Sequence, residues 1–191
     1  MSSDEPVIER AWSLLGAHLI RDDVVVRVTE VEAYGGASDP ASHAYRGPTP
    51  RTEIMFGPPG HLYVYFSYGM HWCANVVVGR EGHASAVLLR AASVEAGMDQ
   101  VRLRRGDRMP DRDLARGPAR LTACLGITGA DNGADLCDPG GIQLVARTGP
   151  EPTIVAGPRV GVSQAADVPW RLWIEGEPTV SAYRRSPRAL L

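Results

Sequence analysis

The stretch Val24-Val-Val-Arg-Val-Thr-Glu-Val-Glu-Ala-Tyr34 gives the clearest secondary-structure signal in the chain. Valine and threonine branch at Cβ, and such side chains favour the pleated surface of a sheet over a helix. We therefore predict one long strand here. Because successive side chains of a strand point to opposite faces, Glu30, Glu32 and Tyr34 are expected on one face.

The segments on either side of this strand predict a mixture of helices and strands. Helices are expected at residues 6–20, 95–105 and 118–125. Further strands are expected at residues 62–68, 70–78 and 84–92, with shorter ones near 143–146, 159–162 and 172–174. The first two of these strands meet near Gly69 and would form a protruding β-hairpin. We expect an α+β fold, with one domain over residues 1–191 and a curved, mostly antiparallel sheet flanked by helices.

Composition restricts the class of protein. No apolar run approaches about 18 residues, so the sequence predicts no membrane span. The acidic start lacks the basic and apolar regions of a signal peptide, and three cysteines are too few for a disulfide framework. These features predict a cytoplasmic protein. The net charge of −2 argues weakly against a nucleic-acid partner, but the local distribution of charge matters more.

All 20 basic residues are arginine. A GC-rich genome explains that bias without selection for function. In either case no lysine is present to form a Schiff base, which removes one covalent mechanism. Residues 102–120 contain seven arginines and three aspartates, which gives this segment a net charge of +4. A solvated helix face and a phosphate-binding surface both fit this stretch.

Two charged side chains interrupt apolar strands. A lone strand glutamate such as Glu32 is commonly a solvated surface residue, yet a long polar loop begins just after it, and functional residues concentrate in loops. Arg90 lies within Ala-Val-Leu-Leu-Arg-Ala-Ala, where a charge must be paired or must reach a polar cavity. A structural ion pair and a role in a site both stay open for Arg90.

Five of the six tyrosines fall within residues 34–68. Packing in the sheet accounts for Tyr63, but Tyr68 lies beside Gly69 at a predicted turn, where an aromatic ring is exposed. An exposed ring can insert into a stack of bases. The histidines and Cys73 lack the compact spacing of a zinc site, so we predict no metal.

Taken in order, these segments resemble the alkyladenine (3-methyladenine) DNA glycosylase family over essentially the whole chain. No single segment is specific, but their order is. The segments that carry the resemblance are Glu30-Val-Glu-Ala-Tyr34, His43-Ala-Tyr-Arg-Gly47, Thr49-Pro-Arg51, Met55-Phe-Gly-Pro-Pro-Gly60, Tyr63-Val-Tyr65, Tyr68-Gly-Met-His71, Asn75, Leu88-Leu-Arg90, Gly117-Pro118 and Arg159-Val-Gly-Val162.

The resemblance implies roles for the site residues. Glu32 would deprotonate a water aimed at C1′ of a flipped nucleotide, and Arg90 would help to position that water. Tyr68 would fill the vacated place in the duplex. The pocket for the flipped base would be formed by Tyr34, His43, Tyr65 and Asn75. Contacts to the DNA backbone would come from Thr49, Arg51, Met55, Arg102, Arg105 and Arg120.

The function implied is base-excision repair. The enzyme would hydrolyse the N-glycosidic bond of an alkylated or deaminated purine in duplex DNA and leave an abasic site, without lyase activity and without a cofactor. It would act as a monomer at the nucleoid. Three positions depart from the family pattern: Arg120 replaces a common Lys, Thr52 a frequent Asn, and Ser163 a small Gly. A non-catalytic module that binds damaged DNA or RNA and a hydrolase of free nucleosides are the rival interpretations.

Overall fold

The long strand predicted from the valine-rich stretch is the central element of the fold. The computed structural model describes residues 6–189 of the chain. Its α-helices are α1 (Val7–Leu14), α2 (Met98–Arg105) and α3 (Pro118–Leu125). Its strands are β1 (His18–Arg21), β2 (Val24–Tyr34), β3 (Leu62–Ser67), β4 (His71–Val77), β5 (Ala86–Ala96), β6 (Gln143–Val145), β7 (Ile154–Gly157) and β8 (Arg171–Ile174).

All eight strands belong to one curled, antiparallel sheet. Strand β5 pairs with β2 along most of its length, and β4 and β3 follow beyond β5. The other edge of β2 is shared, because β1 pairs with its first half and β8 with its second half. The sheet therefore divides at β2 into two branches, one formed by β1 and β6 and the other by β8 and β7. This arrangement confirms the predicted α+β fold with a mostly antiparallel sheet.

The helices cover the sheet and close the hydrophobic core. Helix α1 packs on β2, while α3 packs on β4 and β5 and also contacts α2. Leu14 of α1 and Leu121 of α3 join Val26 and Leu89 of the sheet in one buried cluster. Each buried side chain of this size stabilises the folded state by about 1.5–3 kcal/mol. The core therefore fixes β2 and β5 firmly, and these two strands carry the charged residues of the site.

The helix predicted at residues 6–20 is wrong in its second half. Helix α1 ends at Leu14, and Gly16 adopts a φ of +81°, in the left-handed region that glycine tolerates best. The Gly16 N–H donates to the carbonyl of Val28 at 2.9 Å, which turns the chain back along β2. The residues that follow pair as strand β1 instead of continuing the helix.

One other predicted boundary and one predicted strand are also wrong. The helix expected from residue 95 begins at Met98, because β5 continues to Ala96 and Gly97 takes a φ of +74°. A Cβ at Gly97 would lie 2.5 Å from the carbonyl oxygen of Asp23. Residues 159–162 form no strand; the strand in this region, β7, ends at Gly157, and Gly161 has a φ of +72°.

The predicted hairpin is present. Ser67 of β3 pairs with His71 of β4, so the turn consists of Tyr68, Gly69 and Met70. Tyr68 has a φ of +49° and is 85% exposed, which places its ring outside the core. Across residues 6–189, none of the helices combines the length and the apolar character needed to traverse a bilayer.

Candidate active site

A cavity of about 640 Å³ opens beside the hairpin, between strands β2, β3, β4 and β5 and the chain that follows β7. Strands β2, β3, β4 and β5 each contribute side chains to its wall, and residues 160–164 close one side. Most of the residues singled out from the sequence meet here: Glu32, Tyr34, His43, Arg51, Met55, Tyr65, Tyr68, Asn75 and Arg90 all line the cavity.

Glu32 is fully buried at the wall of this cavity. The backbone N–H of Val160 donates to its Oε1 at 2.7 Å, and the guanidinium of Arg90 lies 3.2 Å from the same oxygen. The hydroxyl of Tyr34 donates to Oε2 at 2.8 Å. A buried carboxylate needs such partners, because an isolated buried charge is very costly. The carboxylate is thus held by two hydrogen bonds and one ion pair from three parts of the chain.

Arg90 reaches Glu32 because β5 carries a bulge at this position. Glu30 pairs with Ala91 and Val31 with Leu89, so Arg90 is the extra residue that has no partner in the register. A bulge re-aims the side chain of the extra residue and is frequent beside active sites. The bulge directs the guanidinium toward both carboxylates of β2.

Glu30 is the second buried carboxylate of β2 and has different partners. Its oxygens accept from Nε of Arg90 at 2.7 Å, from Nε of Arg171 at 2.6 Å, and from the backbone N–H of Ser181 at 2.7 Å. Burial alone would raise the pKa of Glu30, but Arg90 and Arg171 outweigh it and hold that pKa below its ordinary value. Glu30 therefore stays ionised and anchors Arg90.

The charge of Arg90 is secured from both sides. Burial alone would lower the pKa of its guanidinium, but the carboxylates of Glu32 and Glu30 raise it above the ordinary value. Arg90 forms the structural ion pair with Glu30 and also lies at the cavity beside Glu32, while its role in the site stays a prediction.

Aromatic rings form the other walls. The His43 ring meets that of Tyr65 edge-on with centroids 4.6 Å apart, and its Nδ1 lies 3.1 Å from the Tyr63 hydroxyl. His43 is exposed at the cavity, but partial desolvation of its ring there, assisted by the nearby Arg51, lowers the pKa of His43 to about 4. The imidazole is therefore neutral at physiological pH. The guanidinium carbon of Arg51 lies 5.1 Å from the centroid of Tyr65.

Tyr34 lies between the carboxylate and a buried arginine. The guanidinium carbon of Arg159 is 4.8 Å from the centroid of the Tyr34 ring. Burial of the hydroxyl, together with the negative charge of Glu32, raises the pKa of Tyr34 well above its ordinary value. Tyr34 therefore keeps its proton and acts as a hydrogen-bond donor to Glu32.

Arg159 also forms a buried bidentate ion pair with Asp39, with N–O distances of 2.6 and 2.9 Å. The same guanidinium donates to the carbonyl of Ala33 at 2.9 Å. Asp39 in turn accepts from the backbone N–H groups of Gly35 and Ala41. This pair ties the end of β2, the loop after it and the segment that begins at Arg159 into one unit.

The remaining pocket residues lie deeper. Asn75 is 4% exposed, and its amide donates to the carbonyl of Tyr63 at 3.1 Å. Met55 is 2% exposed and packs in a small buried cluster with Tyr63. Met55 therefore meets the cavity from within the protein and not from its outer surface.

Four residues predicted to contact DNA do not line the cavity. Thr49 is exposed and closes a turn with Thr52, their hydroxyls 2.9 Å apart. Arg102 donates to the carbonyls of Gly106 and Met109 and pairs with Asp111, and Arg105 donates to the carbonyl of Leu114. Arg120, in the first turn of α3, is 44% exposed and lies two residues from Pro118 at the cavity wall.

Several residues of the site were missed in the sequence. Glu30 lies on the same strand face as Glu32, and local sequence does not separate their roles. Arg171 and Ser181 are distant in the chain and carry no motif. Arg159 stands in a segment that the resemblance includes without assigning it a role. Within residues 6–189, no group of three or more His, Cys, Asp or Glu side chains is placed to hold a metal ion.

Comparison with known proteins identifies the class. The family model for methylpurine-DNA glycosylase matches residues 1–178. A protein of Mycobacterium sp. (strain KMS) is 55% identical over 94% of this chain and 90% of its own length. One of Frankia casuarinae is 52% identical over 97% of this chain and 93% of its own length. Both carry names that assign them as 3-methyladenine DNA glycosylases.

The fold, the cavity and these matches define a DNA glycosylase, a hydrolase of DNA repair. The chain belongs to the methylpurine-DNA glycosylase family. Its substrate is therefore DNA, and the rival interpretation as a module without catalytic activity is set aside.

Proposed function

We propose that this protein excises alkylated or deaminated purines, of the 3-methyladenine, 7-methylguanine, hypoxanthine and ethenoadenine class, from double-stranded DNA. It hydrolyses the N-glycosidic bond of a nucleotide flipped out of the duplex, and it releases the free base and leaves an abasic site. The observation that carries the proposal is the buried carboxylate of Glu32, held by two hydrogen bonds and one ion pair at the wall of an aromatic cavity.

The carboxylate supplies the chemistry. Cleavage of a glycosidic bond develops positive charge on the sugar, and a nearby carboxylate stabilises that charge and can accept a proton from water. Arg90 keeps Glu32 oriented and is itself anchored by Glu30. In this proposal Glu32 is the general base that activates the water, and Arg90 positions both the carboxylate and the water.

The cavity supplies the recognition. A base within a duplex is unreachable, so it must be extruded at a cost of a few kcal/mol. Stacking on flat rings offsets this cost by about 1–3 kcal/mol for each contact. Tyr34, His43 and Tyr65 offer such rings, and Asn75 lies at the floor. A neutral His43 adds no positive charge that would repel a cationic alkylpurine.

The hairpin supplies the wedge. Tyr68 is 85% exposed at the tip of the turn beside the cavity mouth, and Met70 on the same turn is 70% exposed. A ring in this position can occupy the space that a flipped base leaves in the duplex. The positive φ of Tyr68 costs energy for a residue other than glycine, and such strain is concentrated at functional sites.

Phosphate contacts follow from the arginines near the cavity mouth. Arg51 lies at the cavity, and Arg120 lies close to its rim with 44% of its side chain exposed. Thr49, Arg102 and Arg105 stay proposed contacts to the DNA backbone, although both arginines already donate to backbone carbonyls of the protein.

The absence of lysine supports a reaction that stops at the abasic site. A glycosylase with lyase activity forms a Schiff base through an amine, and the side chains of this sequence offer none. We therefore propose direct hydrolysis with the DNA strand left intact. The monomeric state and the location at the nucleoid also stay proposals.

The test is direct. The protein is incubated with duplexes that each carry one lesion, and abasic sites are then cleaved with alkali. We expect strand breaks at the lesion only after the alkali step. Breaks without alkali, or a protein–DNA adduct trapped by borohydride, would contradict the monofunctional mechanism. No release of any of the four bases would overturn the proposed substrate class.

A further inference from the structure

The two oxygens of Glu32 are not equivalent. Oε1 accepts a hydrogen bond from the Val160 N–H at 2.7 Å and forms an ion pair with a terminal nitrogen of Arg90 at 3.2 Å. Oε2 accepts from the Tyr34 hydroxyl at 2.8 Å. A carboxylate offers about four acceptor positions, two on each oxygen. Each oxygen thus accepts one hydrogen bond, and the Arg90 guanidinium lies 3.2 Å from Oε1, which leaves the second position of Oε2 for a further donor.

We propose that Tyr34, besides forming a wall of the base pocket, is a positioning residue for the general base: its hydroxyl fixes Glu32 so that the water binds at Oε2. The inference rests on the proposed function of Glu32. The hydroxyl takes one lone pair of Oε2 and thereby directs a single water to the other. Oε2 is then the atom that receives the proton.

The step balances without any co-reactant. The water oxygen forms a bond to C1′ of the flipped nucleotide, and one water proton passes to Oε2 of Glu32. The bond between C1′ and the base nitrogen breaks, and its electron pair leaves with the base. Oε1 takes no proton, because the Val160 N–H continues to donate to it and the positive charge of Arg90 stays beside it.

Tyr34 is itself fixed from the opposite side. Arg159 lies over its ring at 4.8 Å and is held by Asp39 and by the carbonyl of Ala33. The residue that follows Arg159 is Val160, whose N–H holds Oε1. One buried arginine thus sets the position of the donors to both oxygens of Glu32. A Tyr34 ring that served only for stacking would not need this arrangement.

Other charged and titratable groups also face this carboxylate. Glu30 shares Arg90 with it, Tyr65 approaches from β3, and Cys73 approaches from β4. Within residues 6–189, neither Tyr65 nor Cys73 donates a hydrogen bond to Glu32. Tyr34 therefore supplies the hydroxyl that donates to Glu32 within the described part of the chain.

The experiment uses Tyr34→Phe, which keeps the ring for stacking and removes only the hydroxyl. Single-turnover excision of hypoxanthine from a duplex is measured from about pH 4.5 to about pH 9. Duplex binding and thermal unfolding are measured in parallel. We expect unchanged duplex binding and roughly ten-fold slower excision at neutral pH. The acid limb of the pH–rate profile should move to higher pH, because a donor that favours the ionised carboxylate is lost.

Tyr45→Phe is the matched control, since Tyr45 is 46% exposed and does not line the cavity. It should behave as the wild type throughout. An acid limb of Tyr34→Phe that stays at the wild-type pH overturns the inference, whatever the rate. A loss of duplex binding as large as the loss of excision overturns it too. Glu32→Gln, measured alongside, separates the two proposals: if it excises normally, the proposed function fails as well.

Discussion

Arg159→Met tests whether the buried ion pair between Arg159 and Asp39 stabilises the wall of the cavity. The Arg159 side chain is 0% exposed and that of Asp39 is 1% exposed, and they share two hydrogen bonds of 2.6 and 2.9 Å. Removing one partner of such a pair leaves an uncompensated buried charge and costs about 3–5 kcal/mol. For a domain of this size, that cost lowers the melting temperature by roughly 6–20 °C.

The assay is urea unfolding followed by circular dichroism, with thermal unfolding in parallel. Arg185→Met is the control, because Arg185 pairs with Asp167 at the surface and its removal should leave the midpoint unchanged. The double variant Arg159→Met with Asp39→Asn should recover part of the loss, since no unpaired charge remains. A loss below about 1 kcal/mol for Arg159→Met, similar to that of a surface pair, would refute the reasoning.

Three further predictions concern the cavity and its mouth. Tyr68→Ala should slow excision from duplex more than from single-stranded DNA while the melting temperature holds, and equal losses on both substrates would argue against a wedge. The pKa of His43 should be near 4 by NMR titration and should rise in Arg51→Gln, whereas a wild-type value near 6.5 would contradict the proposed neutral pocket. Arg120→Gln should weaken duplex binding and reduce its salt dependence by about one ion, more than Arg102→Gln does, and the reverse order would contradict the geometry.

The sequence predicts those parts of the fold that depend on local signals. The β-branched residues of β2 and the glycine of the β3–β4 hairpin are such signals, and both elements are present. The end of α1 was missed because the apolar pattern runs on through Ile20, whereas Gly16 and pairing with β2 decide the conformation. Pairing partners distant in the chain are not visible in a local pattern.

The site shows the same division. The residues next to Glu30 and Glu32 in the chain do not distinguish one glutamate from the other. Their roles differ because each contacts residues that are distant in the sequence. Glu30 is held by Arg171, 141 residues away, and Glu32 by the N–H of Val160, 128 residues away. The bulge that aims Arg90 at both of them is set by the register of two strands. Resemblance to a family supplied what the local pattern lacked for Glu32, but not for Glu30.

The central claim is that Glu32 activates the water, and Glu32→Gln tests it most directly. This variant keeps the shape of the side chain and replaces the carboxylate by an amide. The measurement is single-turnover excision of hypoxanthine from a duplex, with duplex binding determined in parallel. We predict that binding is retained and that excision falls by about 10²–10⁴-fold, the loss typical of removing a general base. Excision within a few-fold of the wild-type rate would contradict the account.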